Sequence, residues 1–276
     1  MQPFKLIFSD NLGPGFKTGW EKLGIVIGQT LLIMVMTIMM IIGIYLVIFG
    51  AVFAFAGIGT TLLDVMDDSG FSNEAMDFLT GAAISSGLGI AFLIAGFAMA
   101  ILGFIFTIQW SLGANRTWMK IARNEPAEFK TMFEKTGLFW NYFLFLIVFS
   151  IGTAILTPVI GITMGLGMYV LMPIQMFALF ALIDGEKNVF QTIGKGIKIN
   201  FTGNVWLAMG VFCLAYTAAA SVVSTVMALF MYIPILGWII ALGLMGGTIY
   251  LAFVFIIISV RVNDKVKEFK ELTPAP

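Results

Sequence analysis

The sequence predicts an all-α polytopic membrane protein: six transmembrane helices arranged as three hairpins, each preceded by a cytoplasmic interfacial helix. Three observations carry this prediction. Of 276 residues, 60% are hydrophobic and only 11% charged, with a mean hydropathy of +1.01; a soluble domain averages roughly 45–50% apolar and about 25% charged. Four stretches carry no charge at all: Leu23 to Leu63, Phe78 to Asn115, Thr136 to Ile183 and Ile199 to Val260. Threading six spans through them places every one of the 15 Lys and Arg residues on the same side.

The composition also excludes. Fifteen basic and fifteen acidic residues cannot coat a globule of 30.1 kDa, which argues against a soluble enzyme, a disordered chain or a nucleic-acid binder with its basic surface. The chain has no His, and its single Cys is Cys213. An internal disulfide, a zinc site of the usual His/Cys kind and His-based acid–base chemistry are therefore absent. No cofactor and no enzymatic activity are expected.

A span needs about 20 apolar residues to cross roughly 30 Å of hydrocarbon. The stretches of 48 and 62 residues, Thr136–Ile183 and Ile199–Val260, are each long enough for two passes. Thr157-Pro158-Val159-Ile160-Gly161 and Tyr232-Ile233-Pro234-Ile235-Leu236-Gly237 supply the turns, since Pro cannot continue the helix ladder. The predicted spans are 24–52, 84–112, 138–157, 161–183, 203–231 and 236–260, within a single transmembrane domain 1–276 that ends in a cytoplasmic tail, 261–276. The first apolar stretch far exceeds a signal-peptide core of about 7–15 residues and is expected to remain as a span.

Basic residues orient the bundle. Lys5, Lys17 and Lys22 lie at the N-terminus; Arg116, Lys120, Arg123, Lys130 and Lys135 in the second connection; Lys187, Lys195 and Lys198 in the fourth; Arg261, Lys265, Lys267 and Lys270 at the C-terminus. By the positive-inside rule this side is cytoplasmic, with both termini inside. A seven-span threading would separate the first three from the other twelve. The opposite side carries an acidic loop, 64–77, with Asp64, Asp67, Asp68, Glu74 and Asp77. It lacks the alternating acids and central Gly of an EF-hand and reads as a soluble translocated loop, with calcium binding as the alternative.

A polar–apolar segment precedes each odd-numbered span. Phe16, Trp20 and Leu23 share one face; so do Phe129, Met132 and Phe133; Val189, Ile193 and Ile197 form a third stripe beside Lys195 and Lys198. Such segments suit the acyl boundary, with lysines among anionic headgroups. Each ends in a related signature: Thr18-Gly19-Trp20, Thr136-Gly137-Leu138-Phe139-Trp140 and Thr202-Gly203-Asn204-Val205-Trp206. Thr can cap a helix, Gly can turn the chain from the membrane plane, and Trp anchors at headgroup depth.

Glycines recur every seven residues, at Gly43, Gly50 and Gly57 and at Gly89, Gly96 and Gly103. Each set makes a smooth stripe for close helix approach, either within the bundle or against a second membrane protein. The predicted spans contain no Asp, Glu, Lys or Arg, which argues against proton relays and intramembrane proteolysis. Met172-Pro173-Ile174-Gln175 is a place where Pro can break the fourth span and expose carbonyls to a cavity; structural glue is the alternative.

Asn115-Arg116-Thr117-Trp118-Met119-Lys120-Ile121-Ala122-Arg123-Asn124-Glu125-Pro126, the later Ala181-Leu182-Ile183-Asp184 and Lys198-Ile199-Asn200-Phe201 resemble the six-span bacterial membrane proteins of the YciC type. Related membrane domains are attached to glycerophosphodiester phosphodiesterases. The acidic outer loop and the lack of a fused hydrolase domain depart from those patterns. The resemblance implies a bacterial inner-membrane location and little chemistry. The expected role is a non-enzymatic scaffold or accessory subunit, with anionic lipids and other membrane proteins as partners. The alternatives are the permease subunit of an ATPase-driven exporter and a lipid-binding or lipid-moving protein. Contacts to headgroups or partners fall to Arg116, Lys120, Arg123, Lys130, Phe133, Lys195 and Lys198.

Overall fold

In the computed structural model 88% of the described residues are helical, and none of them forms a strand. These are residues 2–66, 73–134, 136–163, 165–230, 232–233 and 236–272; of 56–66, 73–86, 236, 238 and 270–272 only the backbone is described. A π-helical segment, Lys5–Asn11, leads into α1 (Leu12–Glu21), α2 (Leu23–Met66) and α3 (Asn73–Ala122). A 3₁₀ turn, Phe129–Phe133, precedes α4 (Phe139–Ile162), α5 (Met168–Ile183), α6 (Val189–Asn200), α7 (Val205–Phe230) and α8 (Leu236–Leu272).

Among the described residues five segments are long and apolar enough to cross a membrane: Leu23–Phe55, Gly87–Ala122, Phe139–Ile162, Val205–Phe230 and Ile239–Phe269. The fourth expected span, 161–183, is represented by α5, which has 16 residues and a length of about 24 Å. Its shortness has a local cause. Pro158 does not end α4 but lies inside it, and the helix continues past the one hydrogen bond that its missing N–H leaves unmade at the Ala154 carbonyl. The chain reverses instead at 163–167, where Gly165 takes φ +83° and the Thr163 hydroxyl accepts the Gly167 N–H at 3.2 Å.

Other boundaries also move. α2 continues to Met66 and α3 begins at Asn73, both beyond the expected 24–52 and 84–112. Segment 261–276 is helical as far as Leu272, and Val262 and Val266 are fully buried. The acidic loop lies largely outside the described residues, as do Lys135, the side chain of Lys270 and part of the 232–237 turn.

The chain divides into two compact units, 31–109 and 1–30 together with 110–276. The first is a hairpin of α2 and α3, and the glycines make its seam. A Cβ on Gly43 would stand 2.7 Å from the Gly96 oxygen, and one on Gly50 at 2.7 Å from the Gly89 oxygen. A Cβ on Gly103 would meet the Met40 backbone nitrogen at 2.7 Å. Both stripes thus face each other within the chain, at backbone contact that any side chain would forbid. The surroundings of Gly57 lie outside the described residues. Away from the seam, large apolar side chains such as Ile48, Phe49, Ile94 and Phe97 point outward.

The second unit has a core of α5, α7 and α8. Phe177, Phe180, Met209, Phe253 and Ile257 are fully buried there. α6 lies tight on α5 because Gly196 leaves room for the Ile174 carbonyl, 2.7 Å from where a Cβ would be. Gly113 does the same under the Met132 backbone. α1 packs on α8 through Gly15 and Gly19, and the Tyr250 hydroxyl donates to the Phe16 carbonyl at 2.9 Å.

The three pre-span segments are helical, and the second and third differ from expectation in which faces they show. Phe16 and Trp20 point outward, Trp20 being 70% exposed. Met132 is buried between the outward Phe129 and Phe133. On α6 the exposed stripe is Phe190, Ile197 and Phe201, while Val189 joins the core, because the packing face is set by Gly196. The Thr–Gly signatures also split. Gly137 (φ +65°) and Gly203 (φ +56°) both adopt the left-handed turn, whereas Gly19 is inside α1 and serves close packing. None of the three Thr residues is the N-cap of a span; the N-cap of α4 is Leu138.

Candidate functional site

The polar centre of the second unit is built on two helix ends. α3 closes at Arg123, with Asn124 in the left-handed region (φ 60°) and the Glu125 N–H returning to the Lys120 carbonyl at 2.9 Å. α5 closes the same way at Asp184, with Gly185 at φ +104° and the Glu186 N–H on the Ala181 carbonyl at 3.1 Å. This is the backbone pattern that satisfies the last carbonyls of a helix. It aims Arg123 and Asp184 at each other.

Arg123 Nη1 donates to Asp184 Oδ1 at 2.8 Å and Nη2 to Oδ2 at 3.1 Å. Nε donates to Asp264 Oδ2 at 2.8 Å and Nη2 to Asp264 Oδ1 at 3.0 Å. Four of the five guanidinium N–H groups are thereby used on two carboxylates, a fork geometry that lysine cannot supply. Lys267 Nζ adds a bond to Asp184 Oδ2 at 2.6 Å, and Asn263 Nδ2 one to Asp264 Oδ1 at 3.1 Å. Arg261 Nε donates to the Ala122 carbonyl at 3.1 Å and its Nη2 to Thr18 Oγ1 at 3.1 Å. Segments from the N-terminus, the second connection, the fourth connection and the C-terminal helix therefore meet at one polar cluster.

The charges respond to this arrangement. Burial alone would raise the Asp184 carboxyl, but hydrogen bonds from Arg123 and Lys267 and their positive charge hold it below its ordinary value. Hydrogen bonds to Asp264 and Asp184 raise Arg123 further above an already high value. A carboxylate at a helix C-terminus opposes the helix dipole; the two cations compensate it here.

Two clefts flank the cluster. One, of 280 Å³, is lined by Asp184, Glu186, Lys195, Lys198 and Lys267. Lys195 is paired with Glu186, which holds that carboxyl below its ordinary value. The other, of 330 Å³, is lined by Arg116, Lys187 and Thr136 over an apolar floor of Leu112, Leu138 and Ile183. Arg116 and Lys120 share the exposed Glu134 loosely, at 3.5 and 3.8 Å.

The sequence-predicted contact residues do not form one site. Arg123 belongs to the cluster, Lys195 and Lys198 to the first cleft and Arg116 to the second, with Lys120 beside it through Glu134. Lys130 is paired with Glu128 at 2.8 Å and well exposed. Phe133 stands edge-on to Trp110 at 5.5 Å. Sequence reasoning missed Asp184 and Asp264. Their signal was an acid at the same boundary as the basic residues, where positive charge sets topology and acids have little part. Gln29 is a further polar residue with a defined place. Fully buried, it accepts from Trp118 Nε1 at 3.0 Å and donates to the Phe129 carbonyl at 3.4 Å. Among the described residues no group of three or more His, Cys, Asp or Glu side chains is placed to hold a metal ion.

Comparison of the chain with known protein families, curated proteins and solved structures finds no match.

Proposed function

We propose that the protein is a non-enzymatic scaffold or accessory subunit of the bacterial cytoplasmic membrane, crossing it six times with both termini inside. The Arg123 cluster is the observation that carries the reading. It ties together the four segments that hold all 15 basic residues, which favours their lying on one face of the membrane. It also favours a fixed platform over a carrier, whose halves must move against each other. The fourth pass falls to α5, whose 16 residues suffice where flanking polar groups reach the interface or the bilayer thins. The outward apolar faces of the α2–α3 hairpin suit lipid and membrane-protein contact, and the YciC-type resemblance accords with the same placement.

Extraction from native membranes in a gentle detergent, followed by native mass spectrometry, tests the role. The scaffold reading expects a membrane protein retained in fixed stoichiometry. A stoichiometric ATPase would replace it with the exporter reading.

The cleft of Arg116, Lys187 and Thr136 favours a second reading, binding of anionic phospholipid. Two cations and a hydroxyl over an apolar floor suit a phosphate whose acyl chains remain in the bilayer. Recovery of the chain alone with retained phosphatidylglycerol would support this reading against the scaffold.

A further inference from the structure

A further large cleft of the second unit lies away from the charged cluster. It is formed by α4, α5 and α7, holds 820 Å³, and carries no charged side chain. Its polar lining is Ser150, Thr153 and Thr157 on α4, Tyr169 and Gln175 on α5, and Thr217 on α7. Ser150, Thr153 and Thr157 recur at i, i+3 and i+7 and so share one helix face.

These groups are not equivalent. Thr153, Thr157 and Thr217 donate to carbonyls one turn back on their own helices, at 2.9, 3.0 and 2.8 Å. The Gln175 amide, the Tyr169 hydroxyl and the Ser150 hydroxyl have no hydrogen-bond partner among the described residues. Pro173 contributes as well. It lies within α5 without breaking it, so the Tyr169 carbonyl receives no N–H from the residue four positions on. In hydrocarbon each unmet donor or acceptor costs several kcal/mol. An amide held at the middle of an apolar helix, facing an open cleft, therefore calls for a polar occupant.

We propose that this cleft binds an uncharged lipid of the diacylglycerol class. The absence of Lys and Arg from the lining leaves a phosphate or carboxylate without a counter-charge, which excludes the anionic headgroups favoured at the basic end. Diacylglycerol presents two ester carbonyls and one hydroxyl to the donors of Gln175, Tyr169 and Ser150. A long-chain alcohol offers a single oxygen and leaves two of those donors unmet. The volume falls within the roughly 300–1,000 Å³ typical of small-molecule sites, and exposure of Ser150, Thr157 and Met168 opens a lateral path for the acyl chains. The inference rests on the helices crossing a membrane.

The test uses the full chain in phosphatidylglycerol nanodiscs doped with a photoactivatable diacylglycerol. Carbonate extraction of native membranes comes first; release of the protein into the supernatant would fail the membrane reading itself. For embedded protein, the cross-links are expected on 149–157, 168–175 and 217, competed by unlabelled diacylglycerol but not by extra phosphatidylglycerol. Gln175→Leu should lower labelling about tenfold, the loss expected for one well-made hydrogen bond, and Tyr169→Phe should lower it less. Gln175→Asn, which keeps the amide, separates a folding defect from a binding one by retaining part of the labelling. Labelling scattered over all lipid-facing helices, or unchanged in Gln175→Leu, would overturn the proposal and leave the cleft to water.

Discussion

Arg123 and Asp184 occupy equivalent positions in two helices, each the residue that closes a C-terminus before a left-handed turn, and they join in a two-bonded ion pair. Asp264, reaching from α8, completes the clamp on the guanidinium. The lattice is strong because backbone geometry orients both partners before the bond forms.

Replacing Arg123 by Met leaves Asp184 and Asp264 without their shared counter-ion. The side chains of all three keep about a quarter of their surface exposed, so water recovers part of the loss. The expected destabilisation is about 1–2 kcal/mol, below the full cost of breaking a buried pair. Arg123→Lys should recover less than half of it, because an ammonium cannot fork onto two carboxylates. Thermal unfolding in detergent, followed by tryptophan fluorescence, measures both. Equal melting temperatures for Met and wild type would remove the lattice from the stability account.

The same cluster sets a pH dependence. Asp184 titrates below its unfolded value, so its contribution is fully present above an ordinary Asp pKa of about 4 and is lost as pH falls through the lower, folded one. Arg123 titrates above its unfolded value and keeps its contribution at every pH below about 12. Melting temperature should therefore hold from pH 8 to 5 and fall below about pH 4. In Asp184→Asn part of that fall should disappear; an identical profile would show that other carboxylates cause it.

Much of this was legible in the sequence, and what was not has particular reasons. The four charge-free stretches forecast where the long helices lie, and the Gly43 and Gly96 stripes marked a close seam. Pro158 reads locally as a helix stop, but α4 runs through it and Gly165 and Thr163 make the reversal. Val189, Ile193 and Ile197 share a helical period, but the contact at Gly196 fixes the buried side of α6 and turns Ile197 away from Val189. The Arg123 lattice joins residues 61 and 141 positions apart. No local period reports such a meeting, and basic residues at a membrane boundary already have a sufficient explanation in topology.

The hairpin seam gives a sharp contrast between glycines of similar setting. Gly96→Val would drive a side chain into the Gly43 carbonyl, 2.7 Å from its Cβ, and Gly50→Val into the Gly89 carbonyl at the same distance. Each should separate α2 from α3 and cost about 1–3 kcal/mol or more. Gly87 has nothing within 4 Å, so Gly87→Ala should be neutral or slightly stabilising. Thiol-directed cross-linking between cysteines placed at Phe53 and Phe92, whose rings meet across the seam with centroids 6.4 Å apart, reports the seam directly, and undiminished cross-linking in Gly96→Val would argue against it.

Two of the three Thr–Gly signatures share a backbone device, and substitution can separate them from the third. Gly137→Ala and Gly203→Ala put a Cβ on left-handed residues with open space around them, so the cost is conformational, about 1–2 kcal/mol each. Gly19→Ala instead meets Val254 at 2.9 Å and Tyr250 at 3.1 Å and should loosen α1 from α8. Proteolysis of the N-terminal segment should accelerate in Gly19→Ala alone; acceleration in all three would make the signatures one device after all.

The threading is tested most directly by single-cysteine reporters on a Cys213→Ser background, labelled in intact cells with a membrane-impermeant maleimide. Reporters at Gly70 and Gly161 should label from outside. Those at Ser9, Glu125 and Glu186 should label only after the membrane is opened, because the segments joined through Arg123 and Arg261 then share the cytoplasmic face. Outside labelling at any of these three positions would contradict the six-span account.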